Sequence, residues 1–175
     1  MPQAHISPVA NRLGAAALTL SDGIREATEA ATGMAGGLPA ALVSLHEWAD
    51  GRSVDVLAGA LRVTHSRAVR VVDQLEAAGL ARREPDPSDG RRALVRLQPE
   101  GHELAERALA ARAQLLDHVV AGLDPHALDP LLDAILHVTT ADTLAAGQTC
   151  RLCDAHACGH FDGHCPVTRA ANRWR

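Results

Sequence analysis

The stretch from Ser53 to Leu97 constrains the fold more than any other part of the chain. Ser53 precedes an apolar-periodic run, Val54–Leu61, and its hydroxyl suits an N-cap that accepts from an otherwise unpaired first-turn amide. Asp55 adds favourable charge in the same turn. After Arg62 and Val63, Thr64 or Ser66 can cap a second helix that turns Ala68, Val69, Val72 and Leu75 inward and stops at Gly79. Two short helices across a tight turn predict a helix-turn-helix. Residues 80–84, the turn-rich residues 85–90 and the Leu/Val alternation of residues 91–97 then predict a β-hairpin beside it.

Long helices are expected on both sides. Residues 11–32 place Leu13, Ala17, Leu20 and Ile24 at helical spacing before a glycine-rich break, and residues 39–48 follow with Pro39 in the first turn and a Leu42, Leu45, Trp48 stripe. Pro99 and Glu100 open a helix to about residue 123, and Pro125 separates it from another over residues 126–146. With one phenylalanine, two tryptophans and no tyrosine in 175 residues, the core has to be aliphatic, which favours helices. The fold class is mainly α with a small β-hairpin wing: a winged helix-turn-helix between long N- and C-terminal helices. The division expected is 1–38, an N-terminal helix; 39–98, the winged unit; 99–146, the C-terminal helices; and 147–175, a tail of different composition. The N-terminus does not read as a signal peptide, and no apolar run approaches the roughly 18 residues that span a bilayer, so a soluble cytoplasmic protein away from membranes is expected.

The formal charge of −4 argues against coating nucleic acid by bulk charge, but between Arg62 and Arg96 eight arginines face only Asp73, Glu76, Glu84, Asp86 and Asp89. A focused basic patch on an acidic body suits a reader of double-stranded DNA. His65, Ser66, Arg67, Arg70 and Gln74 avoid the apolar stripe of the second short helix and are candidates for base edges and phosphates, with Arg67 and Arg70 foremost. On the hairpin the candidates are Asp89, Arg91 and Arg92, with Arg82 and Arg83 weaker; a slim hairpin can place an arginine in the minor groove. The plainer alternative is that these arginines solvate the surface and pair with Glu76, Glu84 and Asp86.

Residues 66–80 (SRAVRVVDQLEAAGL), 82–92 (RREPDPSDGRR) and 95–101 (VRLQPEG) together resemble the MarR family. The resemblance extends over residues 10–146 and is most specific at the recognition helix and at the Asp89-Gly90-Arg91 wing tip. It implies a DNA-binding transcription regulator, a repressor rather than an activator, on a pseudo-palindromic operator. Arg91 matches the family's minor-groove arginine; Asp89 would orient it or pin the turn, and Arg92 would take a phosphate. The resemblance also implies a homodimer built from the first and the last two helices. The apolar surplus of Leu104, Ala108, Leu115, Leu116, Val119, Val120, Leu131, Leu132, Ile135, Leu136 and Val138 agrees, although such stripes also serve as ordinary core. A small-molecule effector, often an anionic aromatic, is implied in the cleft between dimer helices and wing domain, but no residue identifies it.

The tail departs from the family pattern. Cys150, Cys153, Cys158 and Cys165 fall within sixteen residues, among His156, His160 and His164. In a reducing cytoplasm, thiolates this close are better explained by a metal than by structural disulfides. A zinc knuckle with Cys165, or else His164, as fourth ligand is the favoured cofactor reading. An iron–sulfur cluster on all four thiolates competes, and Cys165-Pro166 resembles the Cys-Pro ending of ferredoxin-type runs. A metal-free thiol cluster sensing oxidants is third. Catalysis is not expected: His46-Glu47 lacks the second histidine of a metalloprotease motif, and no phosphate-cradling loop exists. The remaining alternative is a protein-interaction module with the tail as docking element, against which stand arginines on both helix and wing.

Overall fold

The computed structural model describes residues 7–172, with the side chain of Arg91 outside the described residues. Helix α1 spans Pro8–Thr32 and starts earlier than the expected residue 11. The reason is local: the Ser7 hydroxyl accepts from the Ala10 amide and Pro8 sits in the first turn. Gly33, at φ 68°, closes it by donating to the Glu29 carbonyl. Helix α2, Leu38–Ser44, then widens into a π-helical turn, Leu45–Ala49, where a single helix to Trp48 was expected. The wide turn carries tertiary contacts that no local pattern reveals: Glu47 Oε2 accepts from the Ala155 amide at 2.7 Å, and His46 Nδ1 lies 3.0 Å from His102 Nδ1.

Strand β1, Arg52–Ser53, was not anticipated. It pairs antiparallel with β3 in a three-stranded sheet of order β1-β3-β2, where β2 is Ala81–Asp86 and β3 is Asp89–Leu97, with Arg52 opposite Val95 and Ala81 opposite Leu97. Ser53 precedes α3, Val54–Leu61, but its side chain makes no capping bond, a correction to the expected N-cap. Arg62, at φ 55°, ends α3 in the left-handed region. Helix α4, His65–Ala77, is capped by Thr64, whose hydroxyl accepts from the Arg67 amide at 3.4 Å. We expect Thr64→Ala to cost about 1 kcal/mol in denaturant unfolding, with unchanged folded-state helicity.

The core gathers Leu42, Leu45, Leu57, Val72, Leu75 and Val95, all at 0% exposure. On α4 the inward set is Ala68, Val71, Val72 and Leu75; Val69, expected inward, is half-buried. Helix α5, Pro99–Val120, packs along α1 and α2. The long last helix expected over residues 126–146 divides into α6, Pro125–Thr139, and α7, Thr143–Thr149. Asp142 causes the break by capping the Ala145 amide at 2.7 Å, while Thr140 turns extended and is buried.

The tail is folded onto the body. Helix α7 packs on α3, the 3-10 turn Cys150–Leu152 packs on α2, and α8, Pro166–Ala171, packs on α6 and α7. Helix α8 buries Val167, Ala170 and Ala171. Among the described residues no helix is long and apolar enough to cross a membrane.

Candidate nucleic-acid interface

Because α4 turns Ala68, Val71, Val72 and Leu75 into the core, its opposite face is left to His65, Ser66, Arg67, Arg70 and Gln74, all exposed. His65 Nδ1 lies 2.6 Å from Asp55 Oδ1 on α3, which ties the two helices of the motif together. The Arg70 side chain bends back to donate to the Ser66 carbonyl at 3.4 Å. Neither Arg67 nor Arg70 makes an ion pair among the described residues.

The hairpin separates its cations into two groups. At the base, Arg83 pairs with Glu76 and with Asp73 at 2.8 Å and also donates to the Val69 carbonyl. Arg82 meets Glu84 at 2.6 Å, and Arg96 meets Asp50 at 2.9 Å and Glu84 at 3.3 Å. The hydrogen bond and charge of Asp50, seconded by Glu84, raise the Arg96 pKa and keep it protonated. The plainer reading of arginines paired on the surface therefore describes these three. At the tip, the Ser88 hydroxyl and amide donate to Asp86 Oδ1 at 2.6 and 2.8 Å and hold its carboxyl below the usual range. That Asp-based turn leaves Asp89 and Arg92 exposed at the end of the wing. Arg91, the residue matched to the minor groove, has its side chain outside the described residues.

Asp50 was missed from sequence. Besides Arg96 it accepts from the Leu97 amide at 2.8 Å, and Gly51, at φ 69°, donates to the Val95 carbonyl, so this corner anchors the wing. Asp-Gly marks a turn, yet its partners lie 46 and 47 residues on. Nor did local pattern reveal a cleft of about 580 Å³ between α1, α4, α5 and the tail, which collects Arg25, Arg67, Arg112 and Arg151.

A second cavity, about 540 Å³, lies between the tail and the winged unit. Cys150, Cys153 and Cys158 line it with His160 and Trp48. Cys165 is buried beside them, and His164, the alternative fourth ligand, is exposed. The four thiols feel one another's charge. A hydrogen bond from Cys150, helped by Arg112 and Arg151, lowers the Cys153 pKa, while the same bond raises that of Cys150. Burial, then the charge of Cys165, pushes up Cys158. Among the described residues, no three His, Cys, Asp or Glu side chains converge on one ion position.

A sequence profile of the MarR family matches residues 41–92, the stretch from α2 to the wing. None of the curated proteins matches the chain at the sequence level. Among solved structures, CouR from Rhodococcus jostii RHA1 bound to p-coumaroyl-CoA is similar at 25% identity and a TM-score of 0.63, over 78% of this chain and 95% of that one. Apo MarR from E. coli matches at 21% identity and 0.63, over 77% and 98%. The transcriptional repressor CouR bound to a 23-mer DNA duplex matches at 24% identity and 0.62, over 73% and 89%. Profile and architecture agree: residues 41–92 match the MarR family, and the fold is similar to that of MarR-type winged helix-turn-helix transcription regulators, with an additional cysteine-rich tail.

Proposed function

We propose that the protein is a cytoplasmic homodimeric repressor that sets α4 in the major groove of a pseudo-palindromic operator and its wing in the adjacent minor groove. The observation that carries this reading is the exposed α4 face, where Arg67 and Arg70 are unpaired among the described residues while the arginines at the wing base are held by carboxylates. Residues 39–98 would read DNA, with His65, Ser66, Gln74, Asp89, Arg91 and Arg92 completing the contact set. Residues 1–38 and 99–146 would pair the subunits. In support, α1 and the C-terminal helices expose Leu13, Leu18, Val119, Val120, Leu131 and Val138, more apolar helix surface than a lone subunit comfortably leaves to water.

An anionic small molecule in the arginine-lined cleft would act as effector. CouR carries p-coumaroyl-CoA, itself an anion, and here Arg67 both lines the cleft and sits on the DNA-reading face, so a bound anion would draw it from the operator. Light scattering and anisotropy titration on a two-half-site duplex test the reading: a dimer that prefers half-sites about one helical turn apart is expected. A micromolar monomer, or indifference to half-site order, would overturn it and favour the interaction-module alternative. Arg91→Ala should weaken binding to all duplexes and reduce its salt dependence, since a minor-groove arginine reads groove width and potential. Unchanged affinity and salt slope would remove the wing from the interface.

A further inference from the structure

Among the described residues, Arg62 is the one residue other than glycine that takes a positive φ; every other position at such an angle is a glycine. A left-handed backbone brings Cβ against a carbonyl oxygen, a clash that glycine escapes. The turn between α3 and α4 needs the angle. It lets the Arg62 amide donate to the Gly59 carbonyl at 3.2 Å and the Val63 amide donate to the Ala58 carbonyl at 3.1 Å, which closes α3. Both are backbone bonds, and a glycine would make them with less strain.

The arginine side chain adds no bond to the fold. Leu61 and Val63, on either side, pack against the core, whereas Arg62 is exposed. Its guanidinium makes no hydrogen bond or ion pair among the described residues, and Asp55, the acid in the first turn of α3, is already engaged by His65 at 2.6 Å. Strain held at a residue whose side chain does nothing for the fold points to a partner outside it.

The position says which partner. Arg62 lies three residues before His65, at the end of α4 that presents His65, Ser66 and Arg67 to solvent. A recognition helix enters the major groove by its N-terminal end while the helix before it crosses the sugar–phosphate backbone, so the turn between them passes the phosphates at the groove edge. We propose that Arg62 is a phosphate anchor of this interface, its guanidinium held against the DNA backbone beside the groove that α4 enters. It fixes register without reading sequence. The proposal rests on the reading of α4 as the groove-entering helix.

The test uses the full chain and a labelled random-sequence duplex of about 25 base pairs, since a phosphate contact needs no operator. Arg62→Gly removes strain and cation together, so stability and binding should move in opposite directions. Its melting temperature should rise by about 1–4 °C, because the strain relieved exceeds the freedom gained by the unfolded chain. Its affinity should fall about fivefold at low salt, and log affinity against log salt should lose about one unit of slope per subunit bound. Arg62→Gln removes the charge and keeps the backbone requirement, so the same loss of affinity and slope is expected at the wild-type melting temperature. Arg62→Lys should retain the slope. Wild-type affinity and slope in the Gly and Gln variants would overturn the phosphate contact, and a lower melting temperature in Arg62→Gly would overturn the trade of strain for binding. Wild-type protein without salt-dependent binding to any duplex would sink the α4 reading and Arg62 with it, an outcome distinct from a bound wild type whose variants are unaffected.

Discussion

Gly101→Ala should lower the stability of the folded protein by about 2–3 kcal/mol, and the sign of that change is diagnostic. Gly101 lies in the first turns of α5, where helix propensity alone favours alanine by about 1 kcal/mol. The packing opposes this: a methyl there would overlap the Leu80 carbonyl oxygen and lie 2.8 Å from Leu97 Cδ1. The obstruction is backbone at the foot of the wing, not the end of a flexible side chain, so α5 or the hairpin must move. At fixed protein concentration the melting temperature should fall by about 4–12 °C, the range expected for this loss in a chain of this size. A variant more stable than wild type would show that α5 and the wing base are not in close contact.

The second large effect concerns specificity. Arg70→Ala should reduce affinity for the operator by about 10- to 100-fold while changing affinity for random duplex much less, because a bidentate arginine–guanine contact carries base information that a phosphate contact does not. Arg67→Ala should behave similarly and also blunt the response to an anionic effector, since Arg67 lines the cleft as well. Anisotropy titrations on operator and shuffled duplexes at matched salt separate the outcomes. Equal losses on both duplexes would reassign Arg67 and Arg70 to phosphates. Arg83→Ala offers a contrast: with its guanidinium held by Glu76 and Asp73, its loss should show first in stability.

The helix-turn-helix was legible because its signals are local. Thr64 caps α4, Gly79 at φ 72° stops it, and a 3.6-residue stripe points inward, all within one short stretch. The hairpin was legible for the same reason, from strand alternation around a Pro/Asp/Ser/Gly tip. The misreadings fell where a distant or competing partner decides. Ser53 has the residue type of a cap but gives its backbone to β3, 41 residues on. The helix through Trp48 widened where Glu47 binds the Ala155 amide, and the last long helix broke because Asp142 offered a new N-cap.

The sequence by itself determined the winged helix-turn-helix and which α4 residues lie off its apolar stripe, since capping, periodicity and turn chemistry act over a few residues. Only the tertiary structure decided which arginines are spent on the wing's own carboxylates and which remain available, because Asp50 and Arg96 meet across 46 residues of chain. It also decided that Cys150, Cys153 and Cys158 line one cavity with Trp48. Their grouping depends on how the tail folds back over α2 and α3, a packing choice that no spacing encodes.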